Sequence, residues 1–210
     1  MRREKSCIHR RRWNLLIVVC YLVVLSSILF FLMAASNVKG FSLVPFGDAS
    51  RPIMVTGTVE RTRTCLILKY YLHDPSNLVK WPSQSLNPSR KDELWKTTCL
   101  EVFVSEFEST EYWEVNLSPS KDWNMYHFDG YREGMKQEAR VSSLEIQVMD
   151  KTLLVVVPLA PFGIEPGKIL ELGVTAVIDN LLDGDQSFWA LIHTGNKADF
   201  HRRDSFVLRI

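Results

Sequence analysis

Residues 94–104, LWKTTCLEVFV, and residues 112–117, YWEVNL, decide the fold of this chain. Both stretches are short and rich in β-branched and aromatic residues, which is typical of β-strands, and polar and apolar residues alternate along 112–117. Because alternate side chains of a strand point to opposite faces, Trp113 is expected in a core together with its apolar neighbours. The opposite face carries the polar side chains Glu101, Glu114 and Asn116. That polar face is either ordinary solvated sheet or the floor of a binding groove.

Similar short segments recur on both sides of these two, separated by Gly, Pro, Asn, Asp and Ser. No long apolar stripe with helical period and no alternation of strands with helices is visible, so a doubly wound nucleotide-binding sheet is disfavoured. A polar pair at 150–151 between two apolar runs predicts a hairpin. The sequence therefore predicts an all-β domain, an antiparallel β-sandwich or jelly roll. The predicted strands are 53–61, 64–72, 99–107, 112–117, 143–149, 152–158, 169–178, 188–190 and 206–210.

The stretch from 74 to 92 differs from these segments, because it contains three prolines and several Asn and Ser residues without apolar periodicity. Long loops of this kind in a compact domain are commonly functional or disordered. This one leads directly to Trp95, which its polar neighbours tend to expose.

The N-terminal part predicts membrane attachment. Residues 1–12 are rich in Arg and Lys, and residues 13–35 carry no charge over 23 positions, enough helix to cross a hydrocarbon core of ~30 Å. We expect a cytoplasmic basic segment, a transmembrane signal-anchor helix at 13–35, a short linker at 36–40 and an extracytoplasmic sandwich at 41–210. Two alternatives stay open: a signal peptide cleaved near Ala34–Ser36, and translation from Met33, which gives a soluble cytoplasmic protein.

Charge and cysteine content narrow the function classes. Six of the 25 basic residues but only one of the 24 acidic residues lie in the first 12 positions, which leaves the remainder mildly acidic. Such a domain has no electrostatic reason to bind a phosphate backbone, so no nucleic-acid partner is expected. Of the four cysteines, Cys65 and Cys99 are the pair that can meet outside the membrane, either as a disulfide or as two buried thiols.

Catalytic and metal-binding motifs are weak. The histidines show no metal-ligand spacing, and neither a nucleophile elbow nor a phosphate-binding glycine loop is present. A glycosidase built on Glu101 and Glu114 is conceivable, but any two strands with acidic residues offer such a pair. Aromatic and planar polar residues are better represented between 95 and 132, and flat rings with Asn, Asp, Glu or Arg nearby suit the faces and hydroxyl edges of a sugar. No catalytic residues and no enzyme activity are therefore expected.

The stretch 94–104 followed by 112–116 resembles the "Trp, five residues, Glu-Val-Phe" strand and the subsequent "Val-Asn" strand of family 9 carbohydrate-binding modules. These modules belong with the DOMON-like β-sandwiches. The longer stretches 116–135, NLSPSKDWNMYHFDGYREGM, and 190–206, ALIHTGNKADFHRRDSF, look like a bacterial subgroup of DOMON-like proteins. The resemblance covers about 41–210, and it implies a non-catalytic module that binds a sugar or glycan.

The resemblance also implies site residues. Trp95 matches one ring of an aromatic clamp, and Phe200 stands near the position of the second ring. Glu101 and Asn116 match the residues that bond sugar hydroxyls, and Asp179 matches a further polar contact from a late strand. Glu114 departs from the pattern, because the sugar binders carry arginine there, and Arg202 or Arg203 is a candidate to supply the missing donor.

Two other functions remain as alternatives. Other DOMON sandwiches bind haem through Met and His, but Met125 and His127 are expected on one face of a single strand rather than on opposite sides of an iron. A scaffold for a protein partner is the second alternative. No cofactor is predicted; a structural calcium ion is compatible with the resemblance, although the sequence names no ligand set for it.

Overall fold

The structure, a computed structural model, describes residues 37–47 and 52–210. The predicted cytoplasmic segment and the predicted transmembrane helix at 13–35 lie outside these residues. Within the described residues, no helix combines the length and the apolar character needed to span a membrane.

Five strands form the first sheet, and all of its neighbouring pairs are antiparallel. In spatial order these are β1 (Asn37–Ser42), β3 (Met54–Arg61), β4 (Cys65–His73), β10 (Thr152–Pro158) and β9 (Glu145–Met149). Along β3, β4 and β10, buried residues alternate with more exposed ones. One face of this sheet therefore lies in the core and the other faces solvent.

Eight strands form the second sheet. In spatial order these are β2 (Val44–Pro45), β12 (Gln186–Ala190), β11 (Leu170–Asp179), β5 (Cys99–Glu106), β6 (Tyr112–Leu117), β7 (Trp123–Phe128) and β8 (Lys136–Gln137), with β13 (Leu208–Arg209) also on β11. Strands β6 and β7 are buried at every position. Both faces of this sheet are therefore covered, which is unusual for a sheet of antiparallel strands.

The core lies between the two sheets. Val55, Leu68 and Val155 from the first sheet belong to the same buried apolar cluster as Val102 and Val115 from the second. Trp113 is 6% exposed and is part of this cluster, as its alternation predicts. The architecture fits an antiparallel β-sandwich.

Most predicted strands are found close to their expected positions. The strands at Tyr112–Leu117 and Thr152–Pro158 have the predicted bounds, and the hairpin between β9 and β10 pairs Met149 with Thr152. Strand β7 is absent from the nine predicted strands and was considered only as the single strand that would carry Met125 and His127. Trp123–Phe128 follows a polar turn and mixes aromatic residues with Asn and His, which obscures the alternation of a strand. Strand β1 begins at Asn37, inside the stretch predicted to be a linker, and pairs along its whole length with β3.

The two cysteines of the sandwich lie in different sheets. Cys65 begins β4 and Cys99 begins β5, and both are free thiols. Cys99 is fully buried. The structure therefore corresponds to the alternative of two separate thiols.

Candidate functional site

A cavity of about 490 Å³ opens on the face of the second sheet that points away from the sandwich core. Its floor comes from β5 and β6, and its walls come from the Leu94–Lys96 turn, from Arg132 and Met135, and from the segment 198–201 that follows β12. Ligand pockets in proteins commonly measure about 300–1,000 Å³. The cavity is therefore large enough for a small molecule such as a sugar ring.

Aromatic side chains form much of the cavity wall. Trp95, Phe188 and Phe200 line it and are each partly exposed. All three pack on a small buried cluster formed by Leu94, Cys99 and Val177. The rings are therefore supported from behind while part of their surface faces the cavity.

The loop 74–92 positions Trp95. At the end of this loop, the Asp92 carboxylate accepts a hydrogen bond of 2.6 Å from the Tyr126 hydroxyl and one of 2.9 Å from Asn124. The Tyr126 ring in turn meets Trp95 edge to face at 6.1 Å between centroids. Gln186 donates to the Trp95 carbonyl at 3.2 Å. These contacts therefore hold the Trp95 ring in a defined position.

Two carboxyl groups form the cavity floor. Glu101 on β5 is 2% exposed and Glu114 on β6 is 5% exposed, and both line the cavity. Glu101 stands directly opposite Asn116 in the register of β5 and β6, so Glu114 is its diagonal neighbour, within reach across the sheet face. Thr175 donates to Glu101 at 2.9 Å, and Asn116 donates to Glu114 at 2.7 Å.

Burial makes these two acids hard to ionise. Desolvation, followed by the charge of Glu114, raises the pKa of Glu101 to about 8. Desolvation also raises the pKa of Glu114 to about 7, against the opposing effects of the Asn116 hydrogen bond and the charge of Arg132. The cavity floor therefore keeps carboxylic protons near neutral pH.

His201 lies beside Glu114 and is neutral. Burial, followed by the charge of Arg132, lowers the pKa of His201 to about 4. Its Nδ1 lies 2.9 Å from the Tyr112 hydroxyl, which already accepts a hydrogen bond of 3.1 Å from the Arg132 backbone. A neutral ring that accepts the phenol proton at Nδ1 carries its own proton on Nε2, which is 3.8 Å from Glu114.

Arg132 is the guanidinium that lines the cavity. Its side chain donates to the Asp199 carboxylate at 2.9 Å, and Asp199 also accepts a hydrogen bond from Tyr131. Arg132 has a left-handed backbone conformation, with φ of 56°, in the turn after β7. The Arg132–Asp199 pair therefore places the N–H donors of a guanidinium and a carboxylate on the cavity wall, on the same side as Glu114.

The predicted site residues fall into three groups. Trp95, Glu101, Glu114 and Phe200 line the cavity together. Asn116 is fully buried behind them and reaches the cavity through its bond to Glu114. The remaining two, Asp179 and Arg202, do not line it.

Those two residues are held by other partners. Asp179 ends β11 and forms an ion pair with Lys80 at 3.5 Å. Arg202 donates to Asp204 at 2.7 Å and to Thr194 at 2.7 Å. Arg203, the other candidate for the donor, forms an ion pair with Glu171 at 3.0 Å. The guanidinium in the cavity is instead that of Arg132.

Sequence reasoning did not assign Arg132, Phe188, Asp199 and His201 to the site. Phe128 and Arg132 do stand in the stretch rich in aromatic and planar polar residues, but Arg132 follows a strand that was not predicted. Phe188 and His201 come from distant segments that meet the sheet only through tertiary packing. For Asp199 and His201, the place next to Phe200 in the sequence was the one available clue.

The residues considered for haem ligation do not face this cavity. Met125 is fully buried in the sandwich core. His127 lies two positions further along β7 on the same face, where its ring packs on Trp113 at 4.8 Å between centroids. In the part of the chain that the structure describes, no group of three His, Cys, Asp or Glu residues is placed to hold a metal ion.

Comparison with known proteins gives one informative result. No protein-family model matches the chain, and no curated protein sequence matches it. Among solved structures, the chain is similar to a protein from Bacteroides uniformis described as a "putative carbohydrate-binding protein". The two share a TM-score of 0.60 and 14% sequence identity over 83% of this chain and 85% of that one. The likeness establishes that this chain has the all-β fold of that protein.

Proposed function

We propose that this chain is a non-catalytic carbohydrate-binding protein, in which a sugar ring lies in the cavity between Trp95 and Phe200. The observation that carries the proposal is the composition of the cavity, which has aromatic walls and a hydrogen-bonding floor of Glu101 and Glu114. Sugars present apolar C–H faces to flat rings and hydroxyl edges to polar groups. The carbohydrate-binding description of the Bacteroides uniformis protein of the same fold adds support.

Membership of the DOMON-like group related to family 9 carbohydrate-binding modules is part of this proposal. The motif residues Trp95, Glu101 and Asn116 support it, because two of them line the cavity and the third bonds to a lining residue. Glu114 remains a departure from that family. Arg132 offers a donor fork on the same side of the cavity, from a different place in the sequence.

The two glutamates support binding rather than hydrolysis. A glycosidase needs one ionised carboxylate and one protonated carboxyl at working pH, so its two pKa values are held apart. Here burial raises the pKa of both Glu101 and Glu114. This arrangement suits a pair that forms hydrogen bonds to a ligand.

We also propose that the sandwich is displayed outside the cytoplasmic membrane by the helix at 13–35. The basic residues before this segment support a cytoplasmic N-terminus through the positive-inside bias. A protein partner, such as an enzyme that acts on the same glycan, is compatible with this location.

Calorimetric titration of the full-length chain with neutral mono- and disaccharides tests the binding function. The detergent must contain no sugar headgroup, because an alkyl glycoside would compete for the cavity. We expect saturable binding of at least one sugar, a loss of about tenfold or more in affinity in Trp95→Ala, and a smaller loss in Trp95→Phe, which keeps a flat ring. Absence of binding in a folded protein that also shows a haem absorption band would instead support the haem alternative.

A further inference from the structure

Two neighbouring carboxyl groups lie at the bottom of a cavity that supplies little positive charge to them. Of the described residues that line the cavity, Arg132 is the only permanent cation, and its guanidinium is paired with Asp199. Its lowered pKa keeps His201 neutral near pH 7, and its Nδ1 is hydrogen-bonded to the Tyr112 hydroxyl. The partners that directly bond the two glutamates, Thr175 and Asn116, carry no charge.

The other titratable groups near Glu101 and Glu114 do not supply a positive charge either. Burial raises the pKa of Tyr112 to about 12 and raises that of Tyr126 further. Burial also raises the pKa of the Cys99 thiol well above its usual value. These groups are neutral at physiological pH, so Arg132 is the one cation, among the described residues that line the cavity, to offset a charge that forms on Glu101 or Glu114.

Burying a carboxylate without a cation is costly, and the cost is removed if the ligand brings the cation. An ammonium group carries three donors, enough to bond carboxylates on two adjacent strands and a further acceptor. Bonds between ionised partners are about twice as strong as neutral ones. The geometry therefore favours a ligand with a compact positive charge over one with hydroxyl groups only.

Resting on the proposed sugar-binding function, we propose that the preferred ligand is an amino sugar whose free ammonium group lies on the Glu101–Glu114 pair, while its ring contacts Trp95 and Phe200. Arg132 and Asp199 then face the hydroxyl edge of the sugar. The N-acetylated form of the same sugar lacks the charge and adds an acetyl group above two buried acids, so it binds more weakly.

Matched ligands test this proposal on the full-length wild-type protein. Calorimetric titrations at pH 7 with glucosamine, galactosamine and mannosamine are compared with the N-acetyl forms and with glucose, galactose and mannose. We expect at least one free amine to bind about tenfold or more tightly than both of its neutral counterparts. Titration in two buffers of different ionisation enthalpy should show release of about one proton per ligand, because the ammonium drives ionisation of the pair.

Two variants test which residues recognise the ammonium group of the ligand. Glu114→Gln is expected to abolish most of the preference for the amine, measured as the ratio of the affinities for the amine and for its neutral counterparts within the variant. Glu145→Gln makes the same chemical change on the exposed face of β9 and should leave the preference unchanged. If Glu114→Gln does not fold, Glu101→Gln serves as the second variant.

The outcomes separate this proposal from the proposed function. Equal or tighter binding of neutral sugars, with no proton release, overturns the amino-sugar proposal and leaves carbohydrate binding standing. Absence of binding to every sugar in a folded protein overturns both. A preference for amines that persists in Glu114→Gln and in Glu101→Gln also overturns this proposal, because the charge would then be recognised elsewhere.

Discussion

The hydroxyl oxygen of Tyr70 lies 2.8 Å from the main-chain carbonyl oxygen of Glu101. Tyr70 belongs to β4 in the first sheet and is 1% exposed, whereas Glu101 belongs to β5 in the second sheet. A hydrogen bond through the core therefore joins the two sheets at the residue whose side chain forms the cavity floor. The position of the floor depends on packing on the opposite side of the sheet.

Replacement of Tyr70 by Phe tests this link. The variant keeps the ring and removes the donor, so we expect the free energy of unfolding to fall by about 1–2 kcal/mol. Chemical denaturation measures the loss. Tyr71→Phe is the matched control, because Tyr71 is 39% exposed on the other face of β4, and it should change stability by less than about 0.5 kcal/mol. Equal effects of the two substitutions would show that the buried bond does not stabilise the sandwich.

The buried acids predict an unusual dependence of stability on pH. A carboxyl group whose pKa is raised in the folded state stabilises the fold fully at a pH below its pKa in the unfolded chain. This stabilisation is lost as the pH rises through the pKa in the folded state. For Glu114 and Glu101 the folded values are about 7 and about 8. The pKa of His201 is lowered to about 4, so this group changes the stability in the opposite direction. It does so only at a pH below its ordinary pKa of about 6.5.

Between pH 6.5 and 8.5 the glutamates therefore act alone among these three groups. We expect the free energy of unfolding to fall on the order of 2 kcal/mol over this window. In Glu101→Gln the fall should shrink to less than half, whereas Glu145→Gln should retain it. Denaturation curves at the two pH values measure this. A wild-type protein of constant stability across the window would show that the pair is already ionised at neutral pH.

The Tyr112–His201 contact predicts the protonation state of the histidine. The Tyr112 hydroxyl accepts from the Arg132 backbone and lies 2.9 Å from Nδ1, so we predict that it donates its own proton to Nδ1. With its pKa lowered by burial, His201 should then be neutral, with its proton on Nε2, down to about pH 5. Nitrogen-15 NMR of the imidazole rings, assigned with His201→Gln, reports both the charge and the tautomer. Tyr112→Phe should weaken the preference for this tautomer. An imidazolium signal from His201 at pH 6 would contradict the assigned network.

Much of the sandwich follows from local sequence. Strands such as Tyr112–Leu117 have a strict polar–apolar alternation, and this alternation alone identifies Trp113 as core and Glu114 as facing the other way. Strand β7 escaped prediction because its cavity face carries Asn124 and Tyr126, which look like loop residues in isolation. They are buried only because the loop 74–92 covers them through Asp92.

The cavity was less predictable than the fold. Trp95 and Glu101 belong to a recognisable motif, but Arg132 and Phe188 reach the cavity from segments that are far apart in sequence. The side chain of Arg202 is satisfied by its neighbours Asp204 and Thr194, and such local pairing gives no sign in a one-dimensional pattern. Packing between distant segments therefore decides the positions of Arg132 and Phe188, whereas contacts within one loop decide that of Arg202.

Fluorine NMR of the full-length chain labelled with 5-fluorotryptophan tests the central claim, that a sugar binds against Trp95, most directly. The chain has six tryptophans, and Trp95→Phe identifies the resonance of interest. Addition of the tightest-binding sugar should shift the Trp95 resonance saturably, while the resonances of the core residues Trp113 and Trp189 change little. Calorimetrically detected binding that leaves the Trp95 resonance unmoved would contradict the account and place the sugar site elsewhere.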